Sequence, residues 1–284
     1  MRLVITGTAG MLGQDLAAAA RGAGHDAIAL ARADLDIADR AAVADAIRGA
    51  RADVVVNCAA WTDVDGAERD EVGALSVNGA GAGNVARAAA ESGAWTIHIS
   101  SDYVFDGAKR SPYLESDAVG PLSSYGRSKL AGEREVAAEA PERHTIVRSS
   151  WLFGAGGPCF PATILRLAGE RDELKVVDDQ IGCPTFTGHL AQSLVDLAAR
   201  QPPPAGVLHI AGGGVCSWYE FAREIVATAG VSCEVRPCTT AEMPRPATRP
   251  AYSVLRSERD APFLAEWQRG LAEYMALTRA VSAS

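Results

Sequence analysis

Within the first 150 residues, five short apolar runs alternate with alanine-rich segments of helical spacing. That alternation constrains the fold more than any other feature of the chain. Leu3 to Thr6, Ala27 to Leu30, Val54 to Asn57, Trp95 to Ile99 and Thr145 to Arg148 read as strands. Met11 to Arg21, Arg40 to Arg48 and Ala80 to Glu91 carry apolar residues at helical spacing between them. Strands separated by helices build a parallel sheet with helices on both faces. The expected class is α/β, a Rossmann-type doubly wound parallel sheet. Its ligand crevice lies at the carboxyl ends of the strands.

The second half is less regular. Leu174 to Val177 and Val207 to Ile210 read as further strands, and Gly154 to Pro161 as a turn-rich loop. Tyr219 to Ala229 reads as a helix, with Ser217 as its N-cap and Gly230 as its stop. Thr239 to Pro250 carries three prolines and reads as a loop. The expected division is a cofactor-binding domain over 1–150 and a small, mainly substrate-binding lobe over 151–284. Some segments of the lobe return to the first domain, and the pocket lies between the two.

Composition narrows the function classes. Of 284 residues, 48% are hydrophobic and 22% charged, which excludes disorder for most of the chain. The net charge of −8 argues against a nucleic-acid or anionic-membrane partner. A local basic pocket in such a chain still accepts an anionic small molecule. The chain shows neither a signal-type apolar segment nor a run long enough to span a membrane. The six cysteines form no CxxC pair and have no zinc-type histidine spacing, so free thiols in a reducing cytoplasm, and no metal, are expected.

The strongest ligand signal is Thr6-Gly7-Thr8-Ala9-Gly10-Met11-Leu12-Gly13. Three glycines at spacing three follow a strand and open a helix. Glycine permits a tight turn and a close approach of the pyrophosphate, while the helix start offers unpaired N–H groups. After the second strand, Arg32 suits a 2′-phosphate. NADPH is therefore the expected cofactor, with NADH the alternative that the nearby Asp34 keeps open.

The catalytic signal is Tyr125-Gly126-Arg127-Ser128-Lys129. On a helix, a tyrosine and a lysine four residues apart share a face. An ammonium beside a phenol is expected to lower the phenol's pKa, so that it exchanges a proton with a carbonyl oxygen near neutral pH. The strand Trp95 to Ile99 leads into Ser100-Ser101-Asp102-Tyr103, and Ser101 can hydrogen-bond the same oxygen. Serine, Tyr-xxx-Lys and glycine loop together fit hydride transfer to a carbonyl.

These motifs resemble the extended short-chain dehydrogenase/reductase family, and within it the dTDP-4-dehydrorhamnose reductases. The resemblance runs from Met1 to about Tyr274. It also rests on Ala59-Ala60-Trp61-Thr62-Asp63-Val64-Asp65, Ser101-Asp102-Tyr103-Val104-Phe105-Asp106-Gly107 and Trp151-Leu152-Phe153-Gly154. Further matches are Asp179 to Thr185, Ser217-Trp218-Tyr219-Glu220-Phe221 and Arg249-Pro250-Ala251-Tyr252-Ser253. It implies reduction by NADPH of the C4 ketone of dTDP-4-dehydro-L-rhamnose to dTDP-L-rhamnose. By position, Tyr125 would protonate the C4 oxygen, Ser101 would orient the carbonyl, and Lys129 would hold the nicotinamide ribose and tune Tyr125. Gly7, Gly10, Met11, Leu12, Gly13, Asp36, Ile37, Ala59, Ala60 and Trp61 would line the cofactor, beside Arg32. Val64, Asp102, Tyr103, Trp151 and Phe160 would line the sugar pocket, and Arg249 would meet the substrate diphosphate.

Three positions depart from related patterns. Sugar-nucleotide 4,6-dehydratases carry an acid pair after the strand-end hydroxyl, whereas Asp102 here is followed by Tyr103, which favours simple ketone reduction. Cys159-Phe160 replaces the family's usual Asn-Phe, and a thiol is a poorer hydrogen-bonding group than an amide. Ser101 replaces the commoner threonine and keeps the hydroxyl. Plain readings stand elsewhere: His98 as a sheet histidine, Trp61 and Trp218 as packing residues, and Asp63, Asp65 and Glu68 as a solvated acidic cluster. Two rival functions remain. One is 4-ketoreduction of another dTDP-deoxysugar. The other is a non-catalytic regulatory subunit like the β subunit of methionine adenosyltransferase, against which Trp151 argues. A homodimer is the expected assembly, since two-fold dimers are the commonest soluble homo-oligomers.

Overall fold

A computed structural model describes residues 1–282. The first half runs β1 (Arg2–Thr6), α1 (Met11–Gly22), β2 (Asp26–Leu30), α2 (Arg40–Ala50), β3 (Val54–Asn57), α3 (Val64–Arg69), α4 (Glu71–Leu75), α5 (Ala82–Glu91), β4 (Trp95–Ser101), α6 (Ser124–Glu139) and β5 (His144–Ser149). The second half runs β6 (Leu152–Phe153), α7 (Phe160–Glu170), β7 (Glu173–Val177), β8 (Ile181–Gly182), β9 (Thr185–Phe186), α8 (Thr187–Ala198), β10 (Gly206–His209), β11 (Cys216–Ser217), α9 (Trp218–Ala229), β12 (Glu234–Cys238) and α10 (Trp267–Ser282).

Six strands form one parallel sheet in the order β10-β5-β4-β3-β1-β2. The apolar runs are buried on both faces because successive strand residues point to opposite sides. Leu3, Ile5, Val54 and Val56 face one core with Leu12 and Leu16 of α1. Val4 and Val55 face the other, with Val43 and Ile47 of α2 and Val85 of α5. The chain steps from β1 to β2 on one side and to β3 on the other, so a crevice opens between β1 and β3. The glycine loop stands at that crevice.

The second half is not spatially separate. α8 packs on α1 through Leu190 and Leu194, and β10 pairs with β5. The remaining elements build their own core from Phe153, Ile164, Leu174, Phe186, Phe221, Ile225 and Leu271. Two local expectations change. The loop from Gly154 ends at Cys159, and Phe160 and Pro161 already belong to α7. Proline fits there because a first-turn N–H has no intrahelical acceptor to lose. Between α4 and α5, Ser76–Gly81 form a π-helical turn that no simple periodicity announces. No helix among the described residues is long and apolar enough to cross a membrane.

The α1–α8 contact predicts the cost of its loss. Leu194, fully buried between the sheet and α1, leaves a cavity when replaced by alanine. Urea denaturation of Leu194→Ala is expected to show a loss of about 3 kcal/mol relative to the parent chain.

Candidate active site

The loop after β1 is shaped by its glycines. Gly7 has a φ of +72°, and a Cβ there would stand 2.5 Å from the backbone nitrogen of Ala59. A Cβ on Gly13 would stand 2.4 Å from the Gly7 carbonyl oxygen. Close approach of β1's loop to the segment after β3 therefore requires glycine at position 7, and the packing of that loop on the start of α1 requires it at position 13. α1 begins at Met11 with Gly10 as N-cap and no side chain capping it, so its first-turn N–H groups face outward for an anion. Asn57 fastens the neighbouring loop. Its Oδ1 accepts from Thr6 Oγ1 at 2.7 Å and from the Ala59 N–H at 3.2 Å.

Between these loops lies a cleft of about 480 Å³, lined by Gly7, Ala9, Gly10, Arg32, Leu35, Asp36, Ile37, Cys58, Ala59, Ala60, Trp61, Thr62, Asp63 and Val77. It brings together most of the residues assigned to the cofactor. Met11 and Leu12 differ. Leu12 is buried in the sheet core and Met11 packs against the second core, so neither side chain lines the cleft. What they offer a ligand is backbone N–H. The glycine cradle, the uncapped helix start and Arg32 at the rim fit a dinucleotide carrying a phosphorylated ribose.

The chemical centre forms where α6 crosses the end of β4. Ser123 caps the helix by accepting the Gly126 N–H at 3.1 Å, which fixes the first turn and with it Tyr125. Ser101 lies within hydrogen-bonding reach of the Tyr125 phenol. Its Oγ donates to Asp102 Oδ1 at 2.9 Å and accepts the Tyr103 N–H at 3.2 Å. Lys129 is 2% exposed, and its Nζ donates to the Ile99 carbonyl at 2.7 Å.

These contacts correct the expected tyrosine titration. Lys129 is engaged with the backbone, and burial pushes the Tyr125 phenol up to about 12, with Ser101 opposing that rise. Burial lowers the Lys129 ammonium to about 8. Near neutral pH the phenol is thus a protonated acid, the form needed to give a proton to a ketone oxygen. Burial also raises the Asp102 carboxyl to about 6, a rise that the Ser253 and Ser101 hydroxyls oppose.

Tyr103, one of the residues expected to line the sugar pocket, packs edge-on against Tyr125, ring centroids 5.4 Å apart. Val64 opens α3 behind the Asp63 cap. Trp151 adopts a φ of +48°, a strained backbone for an aromatic residue. It stacks on Trp218 with centroids 3.6 Å apart and planes 6° from parallel. A Cβ on Gly182 would stand 2.4 Å from the Trp151 ring, so only glycine fits beneath it. Trp218 also meets Phe160 at 4.5 Å and packs against the second core, as a packing residue would, while stacking on Trp151. Cys159 turns its Sγ inward to the Gly154 carbonyl and the Tyr274 hydroxyl, at 3.6 and 3.7 Å. The thiol is therefore committed inside the second core.

The acidic cluster is not simply solvated. Asp63 caps α3, and Glu68 takes the Ser124 N–H at 2.7 Å and its hydroxyl at 3.0 Å. Asp65 forms a bidentate pair with Arg249, both bonds 3.0 Å. Arg245 reaches the same carboxylate at 3.7 Å. Two guanidiniums on one carboxylate leave a net positive charge at the rim. Among the described residues, no group of three or more His, Cys, Asp or Glu could hold a metal ion.

Comparison with known proteins bears on this arrangement. Residues 1–279 match the family model described as RmlD substrate binding domain. The dTDP-4-dehydrorhamnose reductase of Mycobacterium tuberculosis H37Rv is 44% identical over 285 residues, covering 97% of this chain and 92% of that protein. The chain belongs to the dTDP-4-dehydrorhamnose reductase family. The dTDP-4-keto-6-deoxy-D-glucose reductase of Streptomyces niveus is 41% identical over 255 residues, 89% of this chain and 88% of that one. A solved dTDP-4-dehydrorhamnose reductase from Bacillus anthracis, in complex with NADP, superimposes with a TM-score of 0.93 at 35% identity, covering 97% and 99% of the two chains.

Within this family member, sequence reasoning passed over Asn57, Asn78, Arg245 and Gly182. Asn57 was visible as a polar residue closing an apolar strand at the sheet's carboxyl edge. Asn78 sits in the π turn, where it accepts the Trp61 N–H at 2.8 Å and donates to Ser128 Oγ at 2.8 Å. It thereby ties the cofactor loop to α6.

Asp102 yields a signed prediction. Its carboxyl keeps a proton in the folded chain up to about pH 6. Between about pH 4 and 6 the unfolded chain has already released that proton, so stability falls as pH rises through this window. Asp102→Asn is expected to raise the unfolding free energy at pH 7.5 by on the order of 2 kcal/mol, with little gain at pH 4. Denaturation curves at the two pH values check it.

Proposed function

We propose that the chain reduces the C4 ketone of dTDP-4-dehydro-L-rhamnose with NADPH, giving dTDP-L-rhamnose. The observation that carries this reading is the protonated Tyr125 phenol beside Ser101, at the strand edge next to the glycine-lined cleft. When bound, NADPH supplies the hydride. Tyr125 donates the proton to the C4 oxygen, and the Ser101 hydroxyl orients that oxygen. Lys129, a buried cation one turn along α6 from Tyr125, would hold the cofactor ribose. The first-turn N–H groups of α1 take the pyrophosphate, and Arg32 takes the 2′-phosphate.

Residues 151–284 contribute Trp151 and Phe160 to the sugar walls, with Val64, Asp102 and Tyr103 from the first domain. The Asp65–Arg249–Arg245 group, with its net positive charge, meets the substrate diphosphate. Among these charged groups Asp65 orients Arg249, whose fork suits a diphosphate. A second reading, reduction of a 4-keto-6-deoxysugar of D-gluco configuration, is favoured by the comparable identity to the Streptomyces niveus reductase.

NADPH oxidation with freshly prepared dTDP-4-dehydro-L-rhamnose tests the reading. Turnover to dTDP-L-rhamnose is the expected outcome. Turnover only of the D-gluco ketosugar would favour the second reading, and none on a panel of nucleotide ketosugars would reject both. Tyr125→Phe should lower kcat about 10²- to 10⁴-fold with NADPH affinity retained. Arg32→Ala should weaken NADPH about tenfold while leaving NADH almost unchanged, as measured by fluorescence titration.

A further inference from the structure

α6 meets the end of β4 through three side chains, each one helical turn from the next: Tyr125, Lys129 and Glu133. A spacing of four residues puts them on one face. Tyr125 lies against Ser101, and Lys129 donates to the Ile99 carbonyl. Glu133 Oε1 accepts the hydroxyl of Ser100, the residue between, at 2.5 Å. Three consecutive residues of β4 are thus gripped by three successive turns of α6. The proposed reaction uses the first two grips and leaves the third without a role.

Glu133 is 4% exposed and is held from behind by Arg148, which lies in register with Ser100 on β5. The guanidinium donates to Oε1 at 2.8 Å and to Oε2 at 2.7 Å. Such a fork fixes a carboxylate in orientation as well as in charge. Other groups face Lys129 from each neighbouring element. Burial pushes the Cys58 thiol, at the end of β3, up to about 12, and pushes His98 on β4 well below its ordinary value. Tyr125 on the same helix is a protonated phenol. In this set Glu133 is the one carboxylate. It opposes the loss of the Lys129 proton that burial favours.

We propose that Glu133 is a positioning residue of this site, whose carboxylate fixes the Ser100–Ser101 segment and keeps the buried Lys129 ammonium charged. The consequence for turnover rests on the reductase reading; the electrostatic link to Lys129 does not. A purely structural carboxylate would affect stability without moving the titration of Lys129.

The chain contains three lysines, Lys109, Lys129 and Lys175, so ε-¹³C-labelled lysine gives a spectrum of three signals. Lys129→Met identifies the signal of interest by its disappearance. In the parent chain this signal should titrate with a midpoint near 8. In Glu133→Gln, which keeps the shape and an acceptor for Ser100, the midpoint should fall by about one pH unit. The alkaline limb of kcat should move with it, costing about tenfold in rate above the limb.

If Glu133→Gln fails to fold with Arg148 buried and unpaired, the double variant Glu133→Gln/Arg148→Met removes both charges and should show a displacement in the same direction but smaller, because the Arg148 cation is lost with the carboxylate. An unchanged Lys129 midpoint in a folded variant overturns the proposal. A displaced midpoint in a chain that reduces no ketosugar supports the link and rejects the reductase reading.

Discussion

The whole site depends on the seam where one face of α6 closes on the end of β4. A lysine and a glutamate are buried there, with a half-buried tyrosine beside them. Each would be costly alone, and each is held because a partner on the strand or behind it takes its hydrogen bonds. The Lys129 ammonium rests on a backbone carbonyl, and the Glu133 carboxylate rests in the Arg148 fork. The same water exclusion that makes the seam costly raises the phenol to about 12 and lowers the ammonium to about 8, so both groups keep their protons at neutral pH. A proton donor and a persistent cation are therefore available side by side.

Around the seam, the fold sets distances by leaving atoms out. Gly7 lets the first loop close on the loop after β3, Gly13 lets α1 start tight against that first loop, and Gly182 admits the Trp151 ring. Trp151 holds a left-handed backbone that costs about 1–3 kcal/mol. Its stack on Trp218, together with the β6–β9 pairing that follows, over-determines that conformation. At the opposite rim, Asp65 gathers two arginines from a chain segment with almost no regular structure.

Much of this was legible in the sequence because it rests on local patterns. Alternating strands and helices, the glycine spacing and the Ser217 cap each follow from short-range rules. The capping box at Ser217 and the left-handed Gly230 appear where the pattern placed them. The Tyr-xxx-Lys spacing located the centre but not its electrostatics. Desolvation of the Tyr125 phenol is a tertiary fact, and it reversed the expected direction of its titration. The π turn at Asn78, the pairing of Asp65 with Arg249 and the inward turn of Cys159 depend on residues far apart in the chain, so no window of sequence contains them. Membership of the dTDP-4-dehydrorhamnose reductase family supplied what the pattern alone left open.

The most direct test of the account is a crystal structure of the chain with NADP and dTDP-L-rhamnose. The account predicts the sugar C4 oxygen within hydrogen-bonding distance of both Tyr125 Oη and Ser101 Oγ, with Lys129 on the nicotinamide ribose. A sugar bound with its C4 oxygen away from Tyr125, or a nucleotide outside the glycine-lined cleft, would contradict it.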